Sequence, residues 1–110
     1  MLHGELGADH LINYKTQDFS KEAWRISGKQ GVDIVINYTG GDTWVPSLKT
    51  LKQRGRALTC GATAGYDPKE DLRYIWVREL EILGCNGWTK EDIATLLDYV
   101  ATGRIKPVIS

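Results

Sequence analysis

Side chains able to ligate a metal through nitrogen or sulfur are few in these 110 residues: two cysteines, Cys60 and Cys85, and two histidines, His3 and His10. A structural zinc site takes four nitrogen or sulfur ligands. The histidines stand at the opposite end of the sequence from the cysteines, so no metal site is expected. No Ser/His/Asp or Cys/His set falls at a spacing that suggests nucleophilic catalysis, and the sequence names no catalytic residue. Cys60 and Cys85 each close an expected strand, and the two strands are expected to be neighbours. A redox pair is one reading; buried thiols packing as small apolar groups is the expected one.

Small residues offer a different chemistry. Tyr38-Thr39-Gly40-Gly41, Gly61-Ala62-Thr63 and Gly84-Cys85-Asn86-Gly87 each follow an apolar, β-branched run. A glycine there either makes a tight turn or lets a ligand approach the backbone. Three such endings on one sheet edge suggest a ligand crevice, because open parallel sheets bind ligands beyond the carboxyl ends of their strands.

The elements that would position these endings alternate between strand and helix. Strands are expected at His10–Tyr14, Val32–Asn37, Arg56–Cys60 and Glu81–Cys85. The run VDIVIN, apolar at nearly every position, suits a strand covered on both faces. Asp18 caps a first helix that carries Phe19, Ala23 and Ile26 on one face and ends at Gly28. Asp42 or Thr43 caps a second, with Pro46 tolerated in its first turn and Trp44, Leu48 and Leu51 on its buried stripe. Asp67-Pro68-Lys69-Glu70 has the form of a third helix start, with Leu72, Ile75, Trp76 and Leu80 as the apolar stripe. Thr89 and Asp92 resemble a capping box for a last helix bearing Ile93, Leu96, Leu97 and Val100, stopped by Gly103. Strands alternating with helices imply parallel strands and right-handed crossovers, an α/β single domain over residues 1–110.

Composition narrows the function classes. Fourteen basic and fourteen acidic residues give zero net charge, with 42% apolar and 25% charged residues. That balance leaves no electrostatic footprint for nucleic acid or an anionic membrane. No apolar run approaches the roughly 20 residues that span a bilayer. Two cysteines are too few for a disulfide scaffold, so a reducing cytoplasm is expected. The four tryptophans, Trp24, Trp44, Trp76 and Trp88, read as core or interface anchors.

The segments LGADHLINY, GVDIVINYTGGDTW, SLKTLKQRGRALTCGATAGYD, LEILG and TGRIKPVI run nearly the length of the chain. In this order they resemble the medium-chain dehydrogenase/reductase superfamily, near its zinc-type alcohol dehydrogenases and quinone oxidoreductases. The resemblance implies the second half of an NAD(P)-binding Rossmann domain, with the Gly-rich pyrophosphate turn and the catalytic domain absent. It implies that Tyr14 lies against the adenosine ribose and its phosphate. Tyr38, Thr39 and Gly40 would run along the cofactor, and Cys60, Gly61, Ala62 and Thr63 would meet its nicotinamide end largely through backbone. Asn37 and Tyr38 replace what is commonly an acidic and a small residue, so a bulky Tyr38 would narrow the crevice. The bland reading makes Tyr14 and Tyr38 caps on a sheet end, with rings buried and hydroxyls wet.

The implied strand order is 3-2-1-4-5-6, of which this chain keeps strands three to six. His10–Tyr14 and Val32–Asn37 would then be separated by two missing strands, about 10 Å of empty sheet. The first strand must move beside the second, or another chain must fill the gap. One sheet face would also lose its helices, so a homo-oligomer is expected through that face or the sheet edge. Two functions follow. The first is part of an NAD(P)-dependent oxidoreductase, NADP or NAD serving the intact enzyme and binding weakly or not at all to this chain, which alone is expected to be inactive. The second is a non-catalytic stand-alone module acting through self-association or weak nucleotide binding.

Overall fold

The computed structural model describes residues 7–106. Two compact units make up the fold, one of Ile12–Cys85 and one that contains the C-terminal helix.

The first unit is a three-stranded parallel sheet with three helices. Helix α1 (Phe19–Ile26) starts where the sequence places it: the Asp18 carboxylate accepts the backbone N–H groups of Ser20 and Lys21. The Ser20 hydroxyl, then the amides, hold the Asp18 carboxyl below its ordinary range. Strand β1 (Val32–Asn37) leads through a 3₁₀ turn at Gly41–Thr43 into helix α2 (Trp44–Lys49). Strand β2 (Leu51–Thr59) begins earlier than the Arg56 start expected. Val32 pairs with Leu51 but Ile34 pairs with Arg56, so β2 bulges between the two, and Arg54 sits in that bulge with a positive φ of 64°. Regular pairing starts at Arg56. Strand β3 (Glu81–Gly84) pairs with β2 from Arg56↔Glu81 to Thr59↔Gly84, and the sheet order is β1-β2-β3.

His10–Tyr14 is not a strand. Residues 10–13 have no regular structure and Tyr14 opens a turn. Asn13 closes that turn locally: its carbonyl accepts from Thr16 and Gln17 and its side chain accepts from the Lys15 amide. A strand exists only through a partner's ladder, and the segment has none among the described residues. The sheet therefore has three strands.

Helix α3 (Leu72–Val77) starts later than expected. Asp71, not Asp67, is the cap, accepting from the Arg73 amide and pairing with its guanidinium. Pro68 lies in the preceding loop. Of the expected stripe, Ile75 and Leu80 pack on the core while Leu72 and Trp76 are exposed. A helix of six residues offers one narrow packing face, and Tyr74 and Ile75 occupy it.

The core lies on one side of the sheet. Leu48, Leu51, Ala57 and Leu80 are buried, with Val32, Val35, Trp44, Tyr74 and Ile75 packed around them. Val35 and Ala57 face these helices. Ile34, Ile36 and Leu83, one step away in register, face the other way and are exposed. The strand expected to be covered on both faces is covered on one in this chain.

In the second unit, helix α4 (Lys90–Ala101) has the expected capping box: Thr89 Oγ1 accepts the Asp92 amide and the Asp92 carboxylate accepts the Thr89 amide. Ile93, Leu96 and Leu97 are exposed along it. Among the described residues no helix is long and apolar enough to cross a membrane.

Candidate functional site

The strand ends are organised by one buried side chain that the sequence treats only as a departure from the family pattern. Asn37, the last residue of β1, points to the helix side and is 5% exposed. Its Oδ1 accepts the amides of Thr39 (3.1 Å) and Gly40 (2.8 Å). Its Nδ2 donates to the hydroxyls of Thr43 (3.0 Å) and Ser47 (2.8 Å). Thr43 Oγ1 donates in turn to the Gly40 carbonyl at 2.7 Å. The carboxamide thus joins the end of β1, the following turn and helix α2, with its oxygen and nitrogen both satisfied. A polar residue at an inward position of an apolar strand, three residues before a glycine, is the signal that marks it.

The turn after β1 is clamped to the loop after β2. Gly41 N–H donates to the Gly65 carbonyl (2.8 Å), and Ala64 N–H donates to the Thr39 carbonyl (2.7 Å). Gly40 has φ 67°, and a Cβ there would stand 2.3 Å from the Gly65 oxygen. At Gly41, φ 52°, it would stand 2.7 Å from the Ala64 oxygen. These glycines serve backbone packing of loop on loop.

Beside the clamp is a cavity of about 300 Å³ whose lining includes Tyr14, Phe19, Ile36, Tyr38, Thr39 and Ser47. Tyr14 and Tyr38 come from segments far apart in sequence, and the two residues are 57% and 65% exposed, so the reading of them as buried caps does not hold. The polar lining is hydroxyl and amide, with no carboxylate, imidazole or thiol among the described lining residues. Cys60, Gly61, Ala62 and Thr63 do not line this cavity. They adjoin it through Tyr38, whose carbonyl accepts from Thr63 Oγ1 at 3.5 Å. The amides of Thr39, Gly40, Gly41 and Ala64 are spent inside the protein, whereas those of Gly61, Ala62 and Thr63 have no acceptor among the described residues. None of the described lining residues carries a charge, so the cavity offers shape and neutral hydrogen-bonding groups.

Cys60 and Cys85 are both free and exposed. The expected burial fails: each cysteine lies one residue beyond the end of its strand. No group of three or more His, Cys, Asp or Glu side chains able to hold a metal ion occurs among the described residues.

Replacing Asn37 by alanine strands two amides in a buried turn and is expected to cost about 3 kcal/mol in urea denaturation. Asn37→Asp keeps the acceptor for both amides and is expected to lose less than half as much. Equal losses would put the weight on the hydroxyl contacts instead.

The zinc-binding dehydrogenase family matches residues 2–102. A 2-haloacrylate reductase from a Burkholderia species is 39% identical over 84 residues, 76% of this chain and 23% of that protein. The crystal structure of AibC superposes with a TM-score of 0.91 at 27% identity, covering 97% of this chain and 30% of the other. Escherichia coli quinone oxidoreductase, solved with NADPH, gives a TM-score of 0.81 at 26% identity over 94% of this chain and 35% of its own. The chain thus spans a third or less of most of these relatives. It belongs to the zinc-binding dehydrogenase family, in the C-terminal part of the NAD(P)-binding Rossmann domain of the medium-chain dehydrogenase/reductase superfamily.

Proposed function

We propose that residues 1–110 form the second half of one dinucleotide-binding domain of an NAD(P)-dependent oxidoreductase. In this reading Tyr14, Tyr38, Thr39 and Gly40 flank the dinucleotide along the sheet edge, and Cys60, Gly61, Ala62 and Thr63 meet its nicotinamide end. One observation carries it. Tyr14 and the Tyr38-Thr39 pair, far apart in sequence, converge on one cavity at the carboxyl end of β1, beside a loop with three amides that have no acceptor among the described residues. That is the end of a parallel sheet where ligands bind.

The residues present fit part of the group. Tyr14 and Tyr38 offer ring faces and hydroxyls suited to a nucleoside, and Gly61–Thr63 offer unpaired amides to a polar ring substituent. When bound, a nicotinamide cofactor supplies or accepts the hydride. This chain's own residues orient it, and the described cavity wall presents hydroxyls and amides rather than a carboxylate, imidazole or thiol. Among the described residues no group of His, Cys, Asp or Glu side chains fits a zinc ion.

The 110 residues contain no G-x-G-x-x-G turn, the element whose helix N-terminus holds the pyrophosphate. Forgoing about 3–4 kcal/mol of such hydrogen bonds weakens binding roughly 100–1000-fold. Titrating the isotope-labelled chain with NADPH to about 10 mM is expected to give saturable amide shifts at Tyr38, Thr39 and Gly61–Thr63, with a dissociation constant of about 1 mM. Shifts that never saturate, or that fall elsewhere, would refute the assignment.

The exposed row of Ile34, Ile36 and Leu83 favours a second reading, a module that associates with copies of itself. Light scattering of the dilute chain is expected to return at least twice the chain mass. A monomer mass would remove this reading and leave the first intact.

A further inference from the structure

The two exposed thiols are set side by side by the sheet. Thr59 and Gly84 are paired in parallel register, and the next residue on each strand is a cysteine. Backbone bonding runs past the paired residues to both: Cys85 N–H donates to the Thr59 carbonyl at 2.9 Å and Cys60 N–H to the Asn37 carbonyl at 3.4 Å. Each cysteine lies one residue beyond its strand, and the alternation of side chains, continued by that one residue, assigns both to the face of the Leu58↔Leu83 pair. Neighbouring strands lie about 4.8 Å apart, inside the roughly 4.4–6.8 Å between α-carbons that a disulfide spans.

We propose that Cys60 and Cys85 form a reversible dithiol–disulfide site that exchanges with low-molecular-weight disulfides such as oxidised glutathione. One protein thiolate attacks a glutathione sulfur, forming a mixed disulfide and releasing one glutathione thiolate. The second protein thiolate attacks the protein sulfur of that mixed disulfide and expels the other glutathione. Two thiols are oxidised to one disulfide, one oxidised glutathione is reduced to two thiols, and the two protons pass to the departing sulfurs. The product ties the loop beginning at Cys60 to the end of β3. The pairing is a property of the sheet and holds whatever the crevice binds.

The chain has two cysteines, so an intramolecular disulfide identifies itself by mass. The full chain is incubated with oxidised glutathione, quenched with an alkylating agent and weighed by mass spectrometry, folded and in urea. Native chain is expected to lose two hydrogens and take up no alkyl group. Closure of the mixed disulfide should be at least about tenfold faster than in the unfolded chain, where the thiols meet only at the millimolar effective concentration of a flexible linker. Cys60→Ser and Cys85→Ser should each stop at a stable mixed disulfide. Closure slower when folded than when unfolded, two persistent glutathione adducts, disulfides between chains, or no reaction would each overturn the proposal.

Discussion

The carboxamide of Asn37 holds the end of β1, the turn that follows and the start of helix α2 in one arrangement, and the crevice depends on it. Four hydrogen bonds converge on this buried side chain. A buried polar group with its bonding capacity met is specific because each alternative leaves a donor or acceptor stranded. The Thr39 carbonyl is thereby aimed at Ala64 and the Gly40–Gly41 backbone is pressed on Ala64 and Gly65. Two loops become one surface.

Helices α2 and α3 cover one face of the sheet, while Ile34, Ile36 and Leu83 stay exposed on the other. At about 25 cal/mol per Å², contiguous apolar surface of this kind is a standing drive to association. The same uncovered face exposes Cys60 and Cys85. Covering it by another part of a longer chain or by a second copy would change thiol access and apolar exposure together.

Local signals in the sequence carried most of the elements. VDIVIN is a strand, Asp18 a cap, and Thr89 with Asp92 a capping box because each depends on residues within one turn or one run. The failures are places where distant partners decide. His10–Tyr14 has strand composition but no ladder to join. Two aspartates compete to start α3, and packing of Tyr74 and Ile75 selects Asp71 over the Asp67-Pro68 pair. The bulge moves the start of β2 back to Leu51, whose side chain belongs to the core rather than to a helix stripe. For the site, the resemblance points to Tyr14, Tyr38, Thr39, Gly40, Cys60, Gly61, Ala62 and Thr63, of which Tyr14, Tyr38 and Thr39 line one cavity and the other five do not. The network that joins Asn37, Thr43 and Ser47 is not legible because its partners lie up to ten residues apart and no single window displays them.

Amide hydrogen exchange in wild type and Asn37→Ala tests whether this one side chain holds both loops. Thr39 and Gly40 bond to Asn37 directly, whereas Gly41 and Ala64 bond across the loops to Gly65 and Thr39. If the carboxamide positions both loops, all four amides are protected in wild type and lose that protection together in the variant. If Gly41 and Ala64 keep theirs while Thr39 and Gly40 lose it, the loop clamp stands without Asn37 and the account is wrong.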